Sequence, residues 1–416
     1  MPAIVDRSRR RLLGSGLGLS LLGLCPRLHA APTINPNADW IPPDAFLQDL
    51  PRQMQALGVP GIGIAVVEGG RLAWSRGYGV LRAGGDARVE DGTLFEMASL
   101  SKPVFAYAVM QLVQRGDMSL DEPLVAYRRP DYLATHPWLE RITVRDVLRH
   151  TSGLPNWREH PETETLVPAV EPGQRIDYSG EAFTWLQLAV EAVTGESLDQ
   201  TLRRLLFAPA GMRDSSYGWD AAMARRSVHG HRNAGDGPLI PQKQGLRDAW
   251  EAALPIADAS KKPLREWRYV DAQHALRQAR ANAPEAVHWP GDILANSAAS
   301  LRCPVRDYAR FMALMVQAEP PRWALQPATR DAMLTKQVDV PGRWSDKTLG
   351  WNLEATARGP VFFHSGSNAD VFKAFALGDA ARQRAIVIAT NATSGNVLYR
   401  RVVRAATGLD LLAFDA

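Results

Sequence analysis

Apolar positions along the chain change their spacing several times, and each change predicts an element. Leu47 to Leu57 has the spacing of an amphipathic helix. Ile62–Val67 and Leu72–Gly79 are short β-rich runs joined across Glu68-Gly69-Gly70, which predicts a hairpin. Val104, Phe105, Ala108, Val109, Leu112 and Val113 share one helix face and are expected to be buried. Thr143 stands as a cap before Val144-Arg145-Asp146-Val147-Leu148, and Gly153 and Pro155 mark the stop after His150-Thr151-Ser152. Glu171-Pro172-Gly173-Gln174 reads as a turn. Phe183 to Val193 predicts a buried helix ending at Gly195, and Leu198 to Phe207 a further helix. Asp307–Val316 is helical. Lys347–Leu353, Val361–His364, Val371–Leu377 and Ala385–Thr390 are short strands, and Leu398 to Ala406 is a last helix.

Strands at both ends bracket a mostly helical middle. The expected fold class is therefore α+β, an α/β sandwich plus a helical region. One antiparallel sheet is built from about residues 60–97 and 345–392 and flanked by helices, with residues 98–320 inserted as a mostly helical region. Between Asn233 and about Asp292 the periodicity dissolves among Trp250, Trp267, Tyr269 and Trp289. That is long for a structureless loop, so residues 233–292 read as an insertion with some helix of its own, lying over the site and carrying specificity.

The first thirty residues read as an address. Arg7, Arg9, Arg10 and Arg11 precede an apolar run from Leu12 to Leu24, with Ala30 and Ala31 marking a cleavage site. Ser8-Arg9-Arg10-Arg11-Leu12-Leu13 resembles a twin-arginine export signal, which predicts a periplasmic or secreted protein with its folded domain over 40–416. The apolar run is too short for a membrane span. This segment has five arginines and Asp6, a net of +4, which equals the formal charge of +4 of the whole chain. The mature protein is near neutral, so nucleic acid drops out as a partner, leaving a small molecule or a peptide. Cleavage removes Cys25 and leaves Cys303 alone, so no internal disulfide is expected.

The candidate chemistry centres on Phe95-Glu96-Met97-Ala98-Ser99-Leu100-Ser101-Lys102-Pro103. Ser99 falls at a helix start and Lys102 one turn on, on the same face. A serine hydroxyl is a poor nucleophile until a base takes its proton, and a lysine amine held in a dry site can be that base. The tetrapeptide is short enough to arise by chance. His229-Gly230-His231 invites a zinc reading, but no acidic or cysteine partner stands at ligand spacing, and no metal or organic cofactor is expected. His150 reads as structural, a helix-end histidine favoured by the helix dipole. No Gly-x-Ser-x-Gly is found, which argues against an α/β-hydrolase.

Three separated segments resemble the motifs of the serine β-lactamase-related family, which includes class C β-lactamases, penicillin-binding proteins, esterases and D-peptidases. Ser99-Leu100-Ser101-Lys102 is similar to its nucleophile motif, Tyr178-Ser179-Gly180 to Tyr-x-Asn, and His364-Ser365-Gly366 to Lys-Thr-Gly or its His-x-Gly variant. His150-Thr151-Ser152-Gly153-Leu154, Glu171-Pro172-Gly173 and Thr390-Asn391 add to the likeness, which runs from about Leu47 to Gly408. The resemblance implies a β-lactamase/transpeptidase-like fold. It implies that Ser99 attacks a carbonyl to form an acyl-enzyme, that Lys102 and Tyr178 exchange its proton, and that the N–H groups of Ser99 and Ser367 form the oxyanion hole. Gly180, His364, Ser365 and Gly366 would contact substrate. Tyr178 would be held as a phenolate by the adjacent positive charge.

Two departures bear on substrate. Gly180 stands in place of the amide of the middle motif, and His364 in place of lysine, which would make the site's cation dependent on pH. Both weaken the case for a β-lactamase or D-Ala-D-Ala carboxypeptidase and favour esterase- or peptidase-type hydrolysis. A penicillin-binding sensor that is acylated without turnover, or a binding module on the same fold, are the readings from other classes. The oligomeric state is not legible.

Overall fold

The computed structural model describes residues 39–160, 163–232, 239–241, 247–282, 295–338 and 345–414. The segment expected to be an address, residues 1–30, lies outside the described residues, as do parts of 233–292. In chain order, helix α1 (Asp44–Leu57) leads into strands β1 (Gly61–Glu68), β2 (Arg71–Gly79) and β3 (Phe95–Glu96). Helices α2 (Ser101–Arg115), α3 (Leu124–Tyr127), α4 (Val144–Leu148), α5 (Gly180–Thr194) and α6 (Leu198–Leu202) follow. Short strands β4 (His231–Arg232) and β5 (Ile240–Pro241) precede helices α7 (Arg247–Ser260) and α8 (Tyr269–Asn282). Strand β6 (Arg302–Cys303) and helices α9 (Val305–Val316) and α10 (Pro327–Leu334) come next. The chain closes with β7 (Asp346–Lys347), β8 (Asn352–Thr356), β9 (Gly359–Asn368), β10 (Phe372–Asp379), β11 (Arg384–Thr390) and helix α11 (Gly395–Thr407).

Seven strands form one antiparallel sheet in the order β2-β1-β11-β10-β9-β8-β7, so the N-terminal hairpin docks on the last strand. One antiparallel sheet built from both ends of the chain and flanked by helices is as expected. β1 is apolar on both faces because both are covered. Ile62, Ile64 and Val66 pack with Leu50 and Met54 of α1 and with Leu398 and Val402 of α11. Ala65 and Val67 join the larger core of α2, α5 and α9 on the other face. Burying each large aliphatic side chain here contributes roughly 1.5–3 kcal/mol. Helix α2 is buried from Ser101 through Leu112 rather than on one face alone, so it runs through the centre of the core.

Most boundaries fall near the expected ones. Thr143 and Asp146 cap α4 reciprocally, and Gly195 ends α5 at φ +70°. Two elements differ. Lys347–Leu353 is not one strand: Gly350 at φ +95° turns the chain, Thr348 N–H donates to Trp351 O at 3.0 Å, and β7 and β8 result. Leu198 to Phe207 starts as α6 and continues as a wider π turn over Arg203–Phe207. In the insertion, α7 and α8 form an apolar cluster of their own, with Trp250 and Trp267 packed against Leu188, Trp219 and Met223.

Candidate active site

Ser99 lies in a single 3₁₀ turn, Ala98–Leu100, placed between β3 and α2. Ala98 has φ +49°, a conformation that costs a non-glycine residue about 1–3 kcal/mol and persists only where neighbours hold it. They do so here. Ser101 Oγ donates to Ala98 O at 2.5 Å and accepts from Leu301 N–H at 3.0 Å, while Met97 N–H donates to Leu301 O at 2.9 Å. Gly366 of β9 presses on the same turn: a Cβ there would lie 2.5 Å from Met97 O and 3.1 Å from Ser99 N. Only glycine lets the strand come so near.

Lys102, one turn after Ser99, is buried and its Nζ donates to Ala298 O at 2.9 Å. Burial pushes it well below the usual lysine range, and the charge of Lys347 pushes it further the same way. A neutral amine that donates to one carbonyl keeps a lone pair for a proton from Ser99. Its Nζ lies 4.4 Å from the centre of the Tyr178 ring. Tyr178 keeps 37% of its surface open. Desolvation of its hydroxyl raises its pKa nonetheless, against a smaller opposing effect of hydrogen bonding with Ser99. The phenolate expected from the resemblance is therefore not what this environment favours: the neighbouring amine is itself pushed toward its neutral form, and desolvation dominates.

His150 sets where Tyr178 sits. The two rings stack at 4.5 Å, His150 O accepts from Asp177 N–H at 2.8 Å, and its Nδ1 accepts from Ser179 N–H at 3.3 Å. His150 differs from the dipole-favoured helix-end cation expected. It is buried in the left-handed conformation, φ +59°, and burial, followed by the charges of Lys347 and Lys102, pushes its pKa well below the ordinary histidine value; it is no dipole-favoured cation.

The other wall is the β9 edge. His364, Ser365, Gly366 and Ser367 line a cavity of about 500 Å³ together with Ser99, Lys102 and Tyr178. Burial, with Lys347 and Lys102 adding repulsion, lowers His364 to about 3, and its Nδ1 lies 2.7 Å from Ser365 O. His364 is thus neutral across physiological pH, and the pH-dependent cation expected there does not form. Lys347 and Lys373 line the cavity instead. Lys347 bonds Asn352 Oδ1, and Lys373 holds Asp370 and bonds Ser367 Oγ at 2.9 Å. Three of the chain's seven lysines thus line one cavity. That scarcity was the available signal for Lys347 and Lys373, neither of which belongs to a motif.

A buried pair ties the two walls together. Glu96 bonds Arg302, and Asn368 Nδ2 donates to Glu96 Oε2 at 2.9 Å and to Ala299 O at 3.0 Å. Gly180, expected to contact substrate, is buried beneath Trp157, and Trp157 lines the cavity. No residue of 247–282 is among the lining residues, so the described part of the insertion packs away from this cavity. His231 spends both ring nitrogens on the backbone, Nε2 accepting from Ala83 N–H at 2.9 Å and Nδ1 facing Asn391 O at 2.9 Å. Among the described residues no cluster of three or more acidic, histidine or cysteine side chains could hold a metal ion.

The sequence profile of the Beta-lactamase family matches residues 47–408. The chain belongs to this family. Esterase EstB of Burkholderia gladioli is 29% identical over 241 residues, covering 51% of this chain and 58% of its own. A penicillin-binding protein of Bacillus subtilis (strain 168) is 26% identical over 171 residues, 36% of this chain and 37% of its own. The chain thus spans about half the length of the curated relatives it matches. The solved D-alanine carboxypeptidase AmpC of Burkholderia cenocepacia superposes with a TM-score of 0.64 at 16% identity, over 88% of this chain and 99% of that one, a likeness of fold.

Proposed function

We propose that this family member is a serine hydrolase of esterase type that works through an acyl-enzyme on Ser99. The observation that carries the proposal is the buried, desolvated Lys102 one turn from Ser99, its amine donating to Ala298 O at 2.9 Å. Neutral Lys102 takes the Ser99 proton as the oxygen attacks the carbonyl. Protonated Tyr178, between Lys102 and the opening, delivers a proton to the departing alcohol. Ser99 N–H and Ser367 N–H receive the oxyanion; the close approach of Gly366 to the Ser99 turn supports that pairing. Water then cleaves the acyl-enzyme with Lys102 and Tyr178 in reversed roles. The likeness to an esterase and the absence of a side chain at Gly180 favour esters.

Lys347 favours a second reading. Its charge beside Lys102 and His364 gives an anionic group a place in the cavity, which suits a peptide or β-lactam carboxylate. Hydrolysis of a short-chain p-nitrophenyl ester by the wild type and Ser99→Ala separates these. Turnover lost in Ser99→Ala supports the proposal. Turnover equal in both sinks it. No ester turnover, with a stable Ser99 adduct by mass spectrometry after β-lactam exposure, marks a sensor. We also propose export through the Arg9-Arg10 segment, and lysine substitution of both arginines should retain the protein in the cytoplasm in cell fractionation.

A further inference from the structure

Gly180 opens α5, and its backbone does not explain its identity, because its φ is not among the chain's positive values. Space explains it. A Cβ at position 180 would lie 2.2 Å from Cζ2, 2.3 Å from Cη2 and 2.6 Å from Cε2 of Trp157. The glycine and the indole are one feature: no side chain fits at 180 while Trp157 lies where it does.

The chain on both sides of the indole is fixed. Asn156, its predecessor, accepts from Gly180 N–H through Oδ1 and through its backbone O, both at 3.0 Å, and from Glu181 N–H at 2.9 Å. Arg158, its successor, is buried and bonds Glu181 through its backbone N–H at 3.1 Å and through Nε at 2.9 Å. Both neighbours of Trp157 are thus fixed to the first turn of α5, which begins two residues after Tyr178. Even so, Trp157 is 36% exposed, and its open surface faces the cavity that holds Ser99 and Tyr178. A large, rigid, apolar face left open beside a nucleophile is a docking surface for an apolar group.

We propose that Trp157 sets substrate choice: its indole face receives a flat or branched apolar group of the ester, so the preferred substrates are esters of aromatic or bulky apolar acids or alcohols, not acetate-sized ones. This inference rests on the esterase reading of Ser99. A substrate whose corresponding part is a polar amide would leave that amide facing an indole with no partner, which disfavours it.

The test measures kcat/KM on two ester series, one varying the acyl group from acetate to benzoate on p-nitrophenol, the other varying the alcohol from methyl to benzyl on one acid. In the wild type the bulky member is preferred in one series. In Trp157→Ala that preference is expected to fall by about 10-fold, with Trp157→Phe retaining most of it, since apolar pocket contacts discriminate by roughly 10–200-fold. Gly180→Ala should lower the same preference, because its Cβ displaces the indole. The double variant should lose no more than Trp157→Ala alone, as expected for residues that act as one unit. Thermal unfolding confirms that each variant is folded. Ester turnover with the preference unchanged in Trp157→Ala overturns this inference and leaves the esterase reading standing. Absence of Ser99-dependent ester turnover in the wild type overturns both.

Discussion

The helix-side wall of the cavity, Ser99, Lys102, Trp157 and Tyr178, and the lysines of the strand-side wall, Lys347 and Lys373 beside Asn352 and Ser367, treat charge in opposite ways, whereas His364 between them is neutral like the helix side. On the helix side, burial strips charge away. Lys102 is pushed toward its neutral form, the neighbouring His150 is held neutral, and Tyr178 is held protonated. On the strand side, Lys347 and Lys373 stand against Asn352, Asp370 and Ser367. The standing charge of Lys347 reaches across and helps keep the helix side neutral. A base must be uncharged to accept a proton, and an anion-binding surface must be charged to hold one. On the proposed reading, placing the two tasks on different elements would let one cavity do both.

The strongest way to break this contrast is Lys102→Met, which should lower kcat/KM by about 10²–10⁴-fold while thermal unfolding stays at or above the wild-type temperature. Lys102→Arg should not restore activity, because a guanidinium does not give up its proton. Next comes the link between the walls. Removing one partner of a buried ion pair costs about 3–5 kcal/mol, so Glu96→Ala should show a large loss in denaturant unfolding, accompanied by slower turnover as Asn368 loses its anchor. A wild-type denaturation midpoint for Glu96→Ala would show that the pair holds nothing together.

Acid should act on both walls at once. His150 and His364, and His231 beside β11, have folded pKa values below the ordinary 6.5, with His364 at about 3. The unfolded chain therefore binds protons that the native site excludes. The stability these groups contribute is fully present above pH 6.5 and lost as pH falls below it. The slope is about 1.4 kcal/mol per pH unit for each histidine inside its window. Unfolding measured between pH 7 and 4 should steepen on the acid side, and His231→Asn should remove part of that slope.

Two smaller effects sharpen the comparison. Lys347→Met removes a like charge from beside Lys102, so the pKa of Lys102 rises and the acidic limb of kcat/KM moves to higher pH. Tyr178, His150 and His364 share the neighbourhood, so the same variant in a His364→Gln background checks that Lys102 is the group reporting. His364→Gln alone should leave the pH profile between about 5 and 8 unchanged. A limb lost in that variant would mean that His364 titrates during turnover.

The helix side was legible because its information is local. Ser99 and Lys102 are three residues apart, and their helix announces itself by spacing. The sheet was legible because its strands are β-rich and separated by turn residues. The strand side was less so. Lys347 enters the cavity only because Gly350 splits an apparent single strand into β7 and β8. His364 was assigned a charge that no sequence pattern could have withdrawn, since its neutrality comes from burial beside Lys347 and Lys102. Gly180 read as a missing amide because Trp157, which occupies the space, comes from a different loop. The insertion was expected over the site from its length alone, and its described helices found apolar partners at Leu188 and Trp219 instead.

The sheet joins the two ends of the chain: Gly61 N–H donates to Asn391 Oδ1 at 2.7 Å, 330 positions further on, and β1 pairs only with β2 and β11. On a ribosome this becomes a matter of timing. β1 emerges early and can pair with β2, but its other edge stays open until β11 follows, on the order of tens of seconds later at about 5–20 residues per second. The Ser99 turn leans on β9 through Gly366, so that turn too gains its neighbour only late in synthesis. If Ser99 is the nucleophile as proposed, nascent chains should lack activity until β9 and β11 have emerged, and a nonsense codon before β11 should yield a product without the site rather than a weaker one.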